Sequence, residues 1–239
     1  MPHTPPHPAS PQAGQSPDAP RPPVWARTRV RDRDVPERDA AFAVLREGRV
    51  AHVGFIDAGR PMVVPMIYAL FGETLYLHGA KATRFIKANR ESAPLCVTVT
   101  LVDGIVVARS AFHHSMNYRC VMAHGTARLV TGPAEREEAL IALTDHMLPG
   151  RWSEIRPMTE KENAATGILA LELEHMTLKA RNGPPKDDEE DYDLPVWAGV
   201  VSLGETVTRV QEDPRLRDGI ERPASVEACL KPSRETAGA

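Results

Sequence analysis

The chain has 239 residues, 42% of them hydrophobic and 26% charged, enough to bury one sizeable core and stay soluble. A formal net charge of −3 leaves no basic excess for the phosphate attraction that underlies nucleic-acid binding, so nucleic acid is not an expected partner. Cys96, Cys120 and Cys229 form no CxxC pair, no apolar run approaches the roughly 20 residues of a membrane helix, and the amino terminus lacks the apolar centre of a signal peptide, so a reducing cytoplasm is the expected location.

Residues 1–23 carry nine prolines, with Asp18 and Arg21 as their only formal charges, and lack the apolar surface to offset the entropy of ordering. Residues 1–30 are therefore expected to form a disordered arm. From Gly204 to the end, proline breaks and the loss of apolar period predict a disordered tail over 204–239, leaving 31–203 as the folded domain. Pro36 and Gly48 bracket a short helix in VPERDAAFAVLREG. RVAHVGFID, PMVVPMIYAL and LYLH then read as three strands joined by hairpin-length turns at 57–60 and 71–74. A helix follows in TRFIKANRE. The segments LCVTVTLV and NYRCVMAHGTARLV are two further strands around an irregular DGIVVARSAFHHSM. Pro133 opens a helix through AEREEALIALTDHML, and GILALELEHMTLK alternates as one last strand. Six antiparallel strands with flanking helices describe an α+β protein whose sheet curls into a small barrel.

The stretch LYLHGAKATRFIKANR raises the question of a ligand. Small residues Gly79, Ala80 and Ala82 allow close approach to the backbone where a helix begins, Thr83 can cap or donate a hydroxyl, and Arg84 and Lys87 share a helix face. Such a turn suits a phosphate, and it equally suits a solvated basic helix after an ordinary strand-ending His78. Pro65 cannot donate to a ladder, so its strand should have an open side. Arg119, in an apolar strand, needs an anion or an acidic partner if it points inward, and none if it faces solvent. Adjacent His113 and His114 cannot share a metal, and Cys120 with His124 falls short of a zinc site. No GxGxxG, GxxxxGK[ST] or GxSxG occurs, which removes the usual nucleotide and hydrolase signatures.

Taken together, PMVVPMIYALFGETLYLHGAKATRFIKANR, SMNYRCVMAHGTARLV and LPVWAGVVSL resemble the FMN-binding split-barrel family that includes pyridoxamine 5'-phosphate oxidase, nearest its nitroimidazole-resistance (Nim) subgroup. The resemblance runs from about Arg31 to Leu203. It implies a six-stranded antiparallel split barrel that binds FMN at a homodimer interface, with Val64, Pro65 and Met66 along the ring edge. His78, Gly79, Thr83 and Arg84 would surround the phosphate and ribityl chain. Tyr118, Arg119 and Cys120 would reach the flavin from the long strand, Trp197 would cover it, and His78 would position substrate or donate a proton. An oxidoreductase acting on a small electron-poor substrate such as a nitroaromatic, with NAD(P)H as transient donor, is the implied activity. The alternative is a non-catalytic flavin, F420 or haem binding or sensor protein. Two departures stand out: the acidic run KDDEEDYD replaces the substrate-binding arginine and histidine of the oxidases, and Gly79–Ala80 replaces a polar pair.

Overall fold

The computed structural model describes residues 23–230, so most of the expected disordered arm, and the end of the tail, lie outside the described residues. Among these residues are nine strands and five α-helices: β1 (Asp34–Val35), α1 (Arg38–Glu47), β2 (Val50–Asp57), β3 (Arg60–Phe71), β4 (Thr74–Ala80), α2 (Arg84–Asn89), β5 (Ala93–Val107), β6 (Ser115–Leu129), α3 (Pro133–Met147), α4 (Glu160–Ala165), β7 (Thr166–Glu172), β8 (His175–Arg181), β9 (Gly199–Ser202) and α5 (Ala224–Cys229). The hairpin between β2 and β3 turns on Ala58 and Gly59, both with positive φ (48° and 73°), the primed geometry that matches strand twist.

Six strands close a ring in the order β6-β7-β4-β3-β2-β5, with β5 returning to β6. The ring is the expected barrel. Its two long members then run past it. One edge of β5 pairs β2 at Cys96–Thr98 and β9 at Gly104–Val107, while one edge of β6 pairs β7 at Ala127–Leu129 and β8 at Tyr118–His124. The result is a barrel that splits into an extension of order β9-β5-β6-β8-β1.

Two sequence expectations change. The single last strand expected over Gly167–Lys179 is interrupted at Leu173–Glu174, where the register along β6 slips by one residue and Glu174 N–H donates to His124 O at 3.0 Å. That bulge lets β7 close the barrel while β8 joins the extension. It stands against Gly125, whose Cβ would lie 1.9 Å from Glu172 O, so only glycine fits there. The stretch 103–116, expected to be irregular, supplies the end of β5 and the start of β6, with a bulge at Asp103 and a loop only from Ala108 to His114.

Inside the ring, alternate residues of β2 (Ala51, Val53, Phe55) meet Tyr68, Leu77, Val97, Val121 and Leu171, with Phe42 and Leu45 of α1 and Phe85 and Ile86 of α2 packed onto them. A second cluster seats α3 on the outside of β3, β4 and β7 through Ala139 and Leu143 against Tyr76, Ile168 and Ala170. Within the expected tail, residues 204–223 hold no helix or strand, whereas α5 is tied to the body by Ser225 N–H donating to Glu154 Oε1 at 3.0 Å. No helix among the described residues is long and apolar enough to cross a membrane.

Candidate functional site

β3 pairs with β2 along Arg60–Ile67 but meets β4 only from Tyr68 onward, so among the described residues its first half has no strand on its other edge. Pairing with β2 continues through Pro61 and Pro65, which places their missing N–H groups on the open side. A pocket of about 390 Å³ lies there, lined by Phe55, Met62, Val64, Met66, Gly79, Thr83, Arg84 and Phe85. Phe55 and Phe85 meet edge to face with centroids 5.3 Å apart. The wall is apolar and the rim polar.

The rim groups have local duties that shape what they offer a ligand. Thr83 caps α2, donating its hydroxyl to Ala80 O at 2.8 Å and accepting from Ile86 N–H at 3.4 Å. Arg84 Nε lies 3.3 Å from Asp57 Oδ2, and its side chain remains 66% exposed, so its other donors face solvent at the pocket mouth. A Cβ on Gly79 would make only ordinary contacts, 3.6 Å from Ile86 and from Thr83 Oγ1. That glycine leaves room rather than relieving a clash.

Strand alternation sorts the remaining candidates. Val64 and Met66 point into the pocket, while Pro65 points outward beside His52. His78 lies on the opposite face of β4 from Gly79, in register with Ile168, with its Nδ1 buried and without a partner among the described residues. Burial pushes the His78 imidazole below its ordinary pKa, so it is neutral at neutral pH and faces away from the pocket. Tyr118 and Cys120 are on the outer face of β6; the Tyr118 hydroxyl accepts from Arg33 at 3.4 Å and Cys120 Sγ from the Thr100 hydroxyl at 3.2 Å. Arg119 turns inward and finds its acidic partners within the chain. Its Nε and Nη2 donate to Asp103 at 3.0 and 2.8 Å, and Nη2 donates to Glu47 Oε1 at 2.8 Å. The hydrogen bonds it donates to Asp103, and then to Glu47, raise its pKa further and fix the charge. Trp197 is 66% exposed and lies over Gly199.

Within one chain, then, the pocket brings together Val64, Met66, Gly79, Thr83 and Arg84, and does not include Pro65, His78, Tyr118, Arg119, Cys120 or Trp197. It adds Phe55, Met62 and Phe85. The period of two in β2 and the hairpin register, which sets Phe55 opposite Met62, are the signals that point to the first two.

The outer face of the barrel has its own character. Cys96, His124 and His175 stand in one row across β5, β6 and β8, and Trp25 covers both imidazoles edge-on at 4.8 and 5.4 Å. Among the described residues no group of three or more His, Cys, Asp or Glu is arranged to hold a metal ion. The strap from Gly183 to Ala198 is clamped on the 108–114 loop. Arg109 donates from its backbone N–H at 3.0 Å and its guanidinium at 2.9 Å to the buried Asp187 carboxylate, and His113 lies 3.3 Å from Asp188. Two acids of the KDDEEDYD run therefore have structural partners. Burial pushes the Asp187 carboxyl up, but the Arg109 hydrogen bonds outweigh it and hold the group below its ordinary value.

Comparison with known proteins places this geometry. The chain is similar to flavocytochrome Anf3 of Azotobacter vinelandii, with 36% identity, 84% of this chain and 94% of that chain covered, and a TM-score of 0.79. It is equally similar to a FAD and haem binding protein of Mycobacterium smegmatis, at 35% identity, 82% and 97% coverage and a TM-score of 0.79. A structure described as a 5-nitroimidazole antibiotic resistance protein of Bacteroides thetaiotaomicron shares the fold at 20% identity, 61% and 85% coverage and a TM-score of 0.53. No curated protein matches. The pyridoxamine 5'-phosphate oxidase family model matches residues 37–180, a span that contains all six ring strands and the pocket between β3 and α2; the chain belongs to the pyridoxamine 5'-phosphate oxidase family of flavin-binding split barrels.

Proposed function

We propose that the chain is a flavin-dependent redox protein that also carries haem, and that it works as a homodimer. The observation that carries this is the likeness, over more than four fifths of the chain, to two proteins named for flavin and haem together. The pocket fits the flavin half of the reading. Its volume of about 390 Å³ lies within the range of small-molecule sites, and Phe55, Met62, Val64, Met66 and Phe85 offer the apolar surface that a flat heteroaromatic ring buries. Arg84 would meet a phosphate at the mouth, and the open backbone of β3 would meet the polar ring edge. When bound, the flavin supplies one- and two-electron chemistry, while the protein supplies position and electrostatics.

A haem needs an axial ligand, most often a histidine nitrogen. His113 is engaged with Asp188, His114 with Ser110 O and His146 with Gly48 O, which leaves His52, His78, His124 and His175 as the imidazoles on the outer sheet face among the described residues. Val50, Ile56, Val63 and Ile67 are exposed beside them on β2 and β3, an apolar surface that a second copy would cover.

A specific observation favours a second reading, FMN-dependent reduction of a small electron-poor substrate such as a nitroaromatic. The pocket wall holds no carboxylate, imidazole or thiol, so the protein itself offers no general base there, and electron transfer from the flavin would be the chemistry. Purified protein distinguishes the two. An absorbance spectrum with both flavin and haem bands, and mass spectrometry of the released groups, is the result expected from the first reading. Flavin alone, with NAD(P)H-driven turnover of a nitro compound, replaces it with the second, and colourless protein that takes up neither group removes both. Sedimentation should show a dimer; a stable monomer with full flavin content contradicts the paired arrangement.

A further inference from the structure

A second pocket, of about 330 Å³, lies on the other side of the 79–83 turn and is lined by Lys81, Leu129, Val130, Thr131, Arg136, Glu160, Asn163 and Ala164. Arg136 is its unusual member, a guanidinium on α3 that is only 9% exposed. Its Nε donates to Asn163 Oδ1 at 3.2 Å, Nη1 to Val130 O at 3.2 Å, and Nη2 to Asn163 O, Asn163 Oδ1 and Thr166 O at 2.7 to 2.9 Å. A guanidinium has five N–H donors. One N–H on Nη1 therefore has no acceptor among the described residues.

The acceptors it does have are neutral. They satisfy hydrogen bonds and leave the charge uncancelled, which is costly for a buried group. No carboxylate among the described residues pairs with Arg136. Of the nearby acids, Glu162 is held by Arg156 at 2.7 Å and by the Thr159 N–H at 2.8 Å, and Glu135 by Arg128 and Tyr76. Glu160 lines the pocket but makes no ion pair with Arg136 or with Lys81, whose ammonium is likewise unpaired among the described residues. The pocket thus sets two cations against one exposed acid.

We propose that this pocket binds a small oxyanion, a phosphate or a carboxylate, between the Arg136 guanidinium and the Lys81 ammonium. The spare Nη1 N–H and the Lys81 ammonium supply charge-assisted donors, and the Thr131 hydroxyl stands on the same wall. The site is separate from the flavin pocket, because Gly79, Thr83 and Arg84 line that one and Lys81 this one.

Isothermal titration of the full chain as purified, with sodium phosphate and separately with sodium acetate, at ionic strength fixed by sodium chloride, tests the site. Saturable binding of at least one of the two is expected. Lys81→Met, at an exposed position that leaves the fold intact, should weaken it about tenfold or more; Lys81→Arg should recover most of the affinity, and Lys186→Met, exposed on the strap and outside both pockets, should leave it unchanged. The phosphate and acetate arms show which oxyanion is preferred. Absence of saturable binding in both arms overturns the proposal, as does binding that is lost in Arg84→Ala but kept in Lys81→Met.

Discussion

Tyr68 is fully buried, and its hydroxyl donates to Leu45 O at 2.6 Å and Gly48 O at 2.9 Å, the carbonyls that end α1. His146, its ring tilted by 47° against that of Tyr68 with centroids 4.8 Å apart, reaches the same Gly48 O at 2.7 Å from α3. A helix end buried under a barrel needs such donors. Tyr68→Phe keeps the ring and removes both hydroxyl bonds, so it should destabilise the fold by about 1–3 kcal/mol, read as a lower urea midpoint with an unchanged slope. Arg84 is the residue on which the flavin reading can be tested. Because Asp57 already balances part of its charge, Arg84→Ala should lower FMN affinity by about tenfold, while riboflavin, which has no phosphate, should bind parent and variant alike. Equal FMN affinity of the two proteins would return α2 to the role of a solvated basic surface.

The ring strands are the elements most legible in sequence, because alternation and hairpin turns are local signals. LYLH and NYRCVMAHGTARLV stand where expected. The break at Leu173–Glu174 was hidden, since it contains neither glycine nor proline and its cause lies across the sheet at Gly125. β1 and β9 are too short to show a period. For the candidate site, alternation already separates His78 from Gly79 and Pro65 from Val64; what one chain does not carry is which face a second copy would complete. The acidic partners of Arg119 were invisible for another reason: Asp103 sits in a bulge and Glu47 on a helix distant in sequence. At this scale the bulge makes a sharp prediction. Gly125→Ala sets a Cβ against backbone, not against a side chain that can swing away, and should cost about 3 kcal/mol. Gly59→Ala, at φ 73° with nothing within 4 Å of the added carbon, should cost nearer 1 kcal/mol. Chemical denaturation of the pair checks the order, and equal costs would mean that the bulge relaxes freely.

Across the whole molecule, burial pushes three imidazoles, His78, His124 and His146, below their ordinary pKa of 6.5, with the charge of His175 adding to the effect at His124. The unfolded chain then binds more protons than the folded one as pH falls below about 6.5. Stability is therefore full above that value and declines as pH drops through the folded-state values. Melting temperature should be lower at about pH 5 than at about pH 8, and His146→Gln, which can still donate to Gly48 O, should flatten the slope; a profile that is level for the parent would remove the imidazoles as its cause. The open half of β3 has a consequence of another kind. A long strand edge without a partner invites the edges of other molecules, and it is the usual starting point for aggregation. Among the described residues the end strands of this sheet are β1 and β9, of two and four residues. β3 leaves eight residues unpaired on that side, but Pro61 and Pro65 interrupt the row of donors that an incoming strand would need. The two prolines keep the backbone beside the pocket accessible to a small molecule and closed to a polypeptide. Pro65→Thr should then restore a donor, and light scattering of the concentrated protein should rise faster on warming than it does for the parent.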